Sequence, residues 1–159
     1  MNTTMKAGAQ RARGERGFVL IGVLVVMGAL AGAHLLMMRG SVPRPAASDF
    51  GFGPRTSGAG LYTATLIPTE PLRTRKLQSV HVAIADTHGQ PISNARIAID
   101  GGMPQHGHGL PTRPQVTKSI GGGVYEIDGV RFNMGGWWEF KLSVTTDAGT
   151  DLITFNLNL

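Results

Sequence analysis

Period-two alternation governs the chain after residue 60 and leaves little choice of architecture. In Val80-His81-Val82-Ala83-Ile84-Ala85 the residues Val80, Val82 and Ile84 share one face, with His81 on the other. Side chains of an extended chain point to opposite faces in turn, so such a stretch is a strand with one buried face. The same texture runs through Leu61–Ile67 and through Ala95–Asp100, with Ala95, Ile97 and Ile99 inward. Val116–Ile120 and Val124–Ile127 flank Gly121-Gly122-Gly123, a hairpin signature. Asp86-Thr87-His88-Gly89-Gln90-Pro91 reads as a turn, and Trp138–Thr145 and Asp151–Leu159 form a last pair around Asp147-Ala148-Gly149. About seven short strands at this spacing, with no helical period after residue 40, predict an all-β, immunoglobulin-like antiparallel sandwich over residues 61–159. Phe140, Leu142 and Val144 alternate with Glu139, Lys141 and Ser143, so one of Trp137 and Trp138 is expected in the core and the other outside.

The N-terminal quarter is built differently. Residues 18–38 are almost wholly apolar. A helix of that length, at about 1.5 Å per residue, reaches about 31 Å, enough to cross a hydrocarbon core. Lys6, Arg11, Arg13 and Arg16 precede it with only Glu15 opposed. The positive-inside bias then makes residues 1–17 a cytoplasmic tail and 18–38 a transmembrane signal-anchor in the inner membrane, with the C-terminal domain periplasmic. Ala31-Gly32-Ala33 also fits a small-x-small cleavage site that would start the product at His34. The apolar run continues through Leu35–Met38, longer than a usual signal core, which favours the anchor. Arg16-Gly17-Phe18 resembles a prepilin leader, but Gly22 stands where most pilins carry glutamate, and Pro43 and Pro45 stop the helix. Residues 39–60, rich in Gly, Pro, Ala and Ser, read as a flexible linker.

Composition excludes several classes. The formal charge is +5, of which the tail carries +3, so the high pI is mostly a topology signal and nucleic acid is not a partner. There is no cysteine, so the exported domain folds without disulfides and any soft-metal site must use Met and His. Nothing resembles a nucleophile with its base, and Gly121-Gly122-Gly123 lies between strands, not before a helix, so neither catalysis nor a phosphate cradle is indicated.

What stands out is Gly101-Gly102-Met103-Pro104-Gln105-His106-Gly107-His108-Gly109. In an extended segment His106 and His108 point the same way, their Cα atoms about 6.6 Å apart, close enough to converge on one ion. Pro104 can turn the Met103 thioether toward the same point, and Gly107 and Gly109 carry no side chain to crowd it. Phe132-Asn133-Met134-Gly135-Gly136 offers a second thioether on a similarly bare backbone. Met103, His106, His108 and Met134 together suit copper, Cu(I) in particular, while zinc is poorly served by thioethers. The rival reading makes the Gly/Pro/His loop a protein-docking surface of an envelope assembly module, with Met134 packed on Trp137. His81 reads as a surface residue before a further ligand, and His88 and His34 lie outside the site.

The stretches Asp-x-x-Gly-x-Pro-Ile-x-x-Ala at 86–95, Gly-Gly-Met-Pro-Gln-His-Gly-His-Gly at 101–109, Gly-Val-Tyr at 123–125 and Phe-x-Met-Gly-Gly-Trp-Trp at 132–138 resemble the YtkA-like domain family, which overlaps in description with FixH-like proteins. The resemblance covers roughly residues 75–157. It implies a tethered or exported immunoglobulin-like domain that is not an enzyme. It also implies copper handling as a chaperone or buffer, with a copper-accepting or cytochrome oxidase assembly protein as partner. The chain departs from many copper chaperones in lacking cysteine.

Overall fold

A computed structural model describes residue 1 and residues 42–159. The expected tail, signal-anchor, cleavage site and His34 lie outside the described residues. Among those described, no helix is long and apolar enough to cross a membrane.

Residues 42–159 form an all-β antiparallel sandwich. A 3₁₀ turn at Ala47–Asp49 leads into β1 (Arg55–Thr56), β2 (Thr63–Pro68), β3 (Leu77–Ala85), β4 (Arg96–Met103), β5 (His108–Gly109), β6 (Gln115–Gly121), β7 (Val124–Arg131), β8 (Trp137–Thr146) and β9 (Gly149–Asn158). One sheet has the order β1-β2-β3-β7-β6 and the other β5-β4-β8-β9. All seven expected strands are present, and the two additional ones are two-residue pairings too short to show a period.

Alternation sets the inner faces. Val80, Val82 and Ile84 of β3 meet Tyr125 and Ile127 of β7 on one sheet. Trp138, Phe140, Leu142 and Val144 of β8 meet Ile153, Phe155 and Leu157 of β9 on the other. Phe132 stands edge-on to Trp138, with centroids 5.2 Å apart, an arrangement that suits the ring quadrupoles. Tyr125 pins the β3–β4 connection to this core: its hydroxyl donates to the Ile92 carbonyl and accepts from the Ala95 N–H.

Two expectations are corrected. Both tryptophans are buried, Trp137 at 4% and Trp138 at 1% exposure. Trp137 lies on the outer face, as alternation requires, but its indole N–H donates to Asn156, whose amide in turn holds the Asp49 carbonyl. The stretch read as linker supplies that anchorage. Phe50 bridges Asn156, Gly51 donates to the Asn156 carbonyl, and β1 pairs with β2. Within residues 42–60 the chain is therefore part of the sandwich, because its backbone groups have sheet partners that composition does not display.

Asp151 closes the adjoining turn. Its carboxylate accepts from the Ala59 and Leu61 N–H groups. The Ser57 hydroxyl first, then the backbone N–H groups of Ala59, Leu152 and Leu61, hold its pKa down at about 2. Asp86 organises the β3–β4 turn similarly, accepting from Gln90 and His88 N–H, contacts that lower its pKa.

Candidate metal centre

β4 and β5 form a hairpin whose closing pair is Met103 opposite His108, with Pro104, Gln105, His106 and Gly107 as the loop. The N–H groups of His106 and Gly107 both donate to the Met103 carbonyl, and Gly107 takes φ +66°, a left-handed conformation glycine adopts freely. The expected extended path through His106 is therefore replaced by a turn. The turn still brings the imidazoles together: both are exposed, with ring centroids 6.4 Å apart and planes within 4° of parallel. The rings are stacked, and because imidazole binds metal through in-plane lone pairs, an ion bonded to one nitrogen of each at about 2.0–2.1 Å needs the rings to turn toward it, with centroids at or below this spacing.

Met103 behaves otherwise. It is 2% exposed and belongs to the hydrophobic core. Its terminal methyl lies so close under Gly136 that a Cβ there would stand 3.1 Å from it. The turn at Pro104 does not bring this thioether out to the imidazoles. The signal for its burial was present: the inward phase of Ile97 and Ile99 continues through residue 101 to Met103. Met134 is 42% exposed, and its carbonyl accepts the Trp138 indole N–H.

The bare backbone has a structural cause as well. A Cβ on Gly102 would meet the His108 carbonyl oxygen at 2.6 Å, so close pairing of β4 with β5 demands glycine there. Gly107 faces open space, and its demand is the positive φ. Beside His108 an open depression of about 330 Å³ is rimmed by Asp100, Glu139 and Lys141. Lys141 and Glu139 are ion-paired at 2.7 Å. Motif spacing does not single out these charges, although Glu139 and Lys141 fall on the outward phase of β8. Among the described residues no group of three His, Cys, Asp or Glu side chains is placed to hold an ion.

His81 sits directly opposite Glu126 across β3 and β7, its Nε2 3.3 Å from the carboxylate and its side chain 28% exposed. Next to it, Asp128 accepts from Ser79 and Thr117, bonds that lower its pKa. His81 lies on β3, in the sheet opposite the one that carries the His106–His108 hairpin.

The fold and the exposed histidine hairpin define a small all-β sandwich domain with an ordered donor-bearing tip. The YtkA-like family model matches residues 56–143. The chain belongs to the YtkA-like family. No curated protein matches it. A solved structure described as the ZirS C-terminal domain aligns over 76% of this chain and 84% of its own length, at 14% identity and a TM-score of 0.35.

Proposed function

We propose that this chain is a membrane-tethered periplasmic copper-binding protein, a chaperone or buffer that passes Cu(I) to a copper-accepting or oxidase-assembly partner. The observation that carries the reading is the parallel pair of exposed imidazoles at 6.4 Å on the hairpin tip. Neutral imidazole binds copper in either oxidation state, and a two-nitrogen site at an exposed tip leaves positions open for a partner's ligands. Met134 supplies the exposed thioether, while Met103 serves the core beneath the tip. The immunoglobulin-like assignment rests on strand order: β2-β3-β7-β6 against β4-β8-β9 corresponds to the arrangement of constant-type domains. The apolar run at 18–38 is the proposed tether.

Titration of the full chain with Cu(I) against a colorimetric competitor tests this. His106→Ala and His108→Ala should each weaken binding roughly ten-fold or more, one lost ligand bond each. Met134→Ala should weaken Cu(I) but not Cu(II), and Met103→Leu should change neither. A double histidine variant that binds Cu(I) like the parent defeats the reading and leaves the tip as a docking loop.

A further inference from the structure

β4 has one free edge. β8 pairs with it from Arg96 to Gly102, whereas β5 reaches only Gly102 and Met103, extended by the Leu110 N–H donating to the Gly101 carbonyl. Backbone groups of successive strand residues point to opposite edges. Gly101 and Met103 face the β5 side, so Ile99 and Ile97 direct their N–H and C=O groups the same way, where no strand pairs with them among the described residues. The next residue in that phase, Ala95, has already given its N–H to Tyr125. Beside the edge an open cleft of about 420 Å³ is lined by Ile97, Ala98 and Ile99 of β4 and by Pro114, Gln115 and Val116 at the start of β6.

We propose that this edge is a self-association site, at which a second copy of the chain adds its own β4 antiparallel about a two-fold axis through Ala98. In that register Ile97 of each copy stands opposite Ile99 of the other, and both residues present edge-facing N–H and C=O groups, giving four reciprocal hydrogen bonds. The same register sets Arg96 of each copy against Asp100 of the other on the outer face. Neither residue is in an ion pair among the described residues. Between them only Ala98 approaches its counterpart, and it is small enough to let the strands close. On the inner face the Ile97–Ile99 pairs cover the cleft. Solitary edges are protected by like charges, proline or bulges that make self-pairing unfavourable. Here β4 carries no proline or bulge, and its two edge charges attract under the self-pairing rotation.

The test is a charge swap on the full chain in detergent, read by sedimentation across a range of protein concentrations. The parent should dimerise. Arg96→Asp alone leaves two carboxylates facing each other at each of the two contacts, and Asp100→Arg alone leaves two guanidinium groups. Each variant should therefore weaken dimerisation by roughly ten-fold or more. Mixing the two variants restores opposite charges at each contact only if both members carry one sign throughout: the first is acidic at both positions and the second basic at both. The mixture should recover a heterodimer. Because the native chain has no cysteine, Ala98→Cys provides a second measurement. The two Cα atoms would lie about 4.5 Å apart in a non-hydrogen-bonded pair, within disulfide reach. That variant should cross-link under mild oxidation, while Asp147→Cys at an exposed turn should not. A monomeric parent, or a mixture of charge variants no more associated than either alone, overturns the proposal and leaves the edge to a foreign strand or to none.

Discussion

Two glycine-rich hairpins, at 103–108 and 121–124, look alike in the sequence and differ in what their glycines do. At the β6–β7 turn Gly123 sits under other strands: a Cβ on it would meet the Ile84 carbonyl oxygen at 2.5 Å, and its own carbonyl accepts the Ile84 N–H. At the β4–β5 turn Gly107 faces open space, and the neighbouring side chains His106 and His108 are exposed. The first hairpin is a structural seam and the second is a display. Glycine abundance therefore marks close backbone approach or turn geometry in both, and only the exposed donors distinguish the one that can bind anything.

The largest effect should come from beneath the display. Met103→Ala empties part of the core under Gly136, and buried methionine truncations cost about 2–5 kcal/mol. Met134→Ala removes an exposed side chain and should stay within about 0.5 kcal/mol. Equal losses in denaturant unfolding would mean that Met103 is not a core residue.

Next comes the seam. Gly123→Ala forces both a clash and a left-handed alanine, which together should cost about 2–4 kcal/mol. Gly107→Ala meets only the left-handed penalty, about 1–2 kcal/mol. Thermal unfolding of the two variants ranks them, and a reversed order breaks the comparison.

A loop shaped by charge provides the contrast to both. Asp151, with its carboxylate held down at about 2, ties residues 59–61 to β9. A carboxylate depressed in the folded state adds stability that is present above its unfolded pKa of about 3.9 and is lost as pH falls through the folded value. Stability should therefore decline from roughly pH 4 toward pH 2. Asp151→Asn should be less stable than the parent at about pH 6 and converge with it near pH 2. An unchanged gap between the two across that range removes Asp151 as the latch.

Strand alternation made most of this molecule legible, because seven strands have six or more residues and all of them but β6, which is almost wholly exposed, turn one face inward. What it missed has physical reasons. β1 and β5 hold two residues each, too few for a period. Trp137 obeys alternation in facing outward, yet residues 49–51 are fastened over the same edge through Asn156, a contact between distant parts of the chain. At the tip, residue types identified two histidines that do meet. They could not separate Met103, which continues the inward phase of β4, from Met134, which lies on a surface loop.

The smallest expected effect bears most directly on the metal reading. Gly107 can be glycine for one of two reasons, its φ of +66° or the space an ion would need beside His106 and His108. Asparagine separates them, since its short polar side chain tolerates the left-handed region far better than other non-glycine residues do but still occupies volume. If conformation is the reason, Gly107→Asn should fold within about 0.5 kcal/mol of the parent, as surface changes without strain do. It should also bind Cu(I) with unchanged affinity, because the imidazoles keep their 6.4 Å spacing. If space is the reason, the same variant should fold normally and bind Cu(I) more weakly. Gly107→Ala, carrying strain with little volume, should show the opposite division: lower stability with copper affinity retained. We expect conformation to govern, because a Cβ at this position meets nothing within 4 Å.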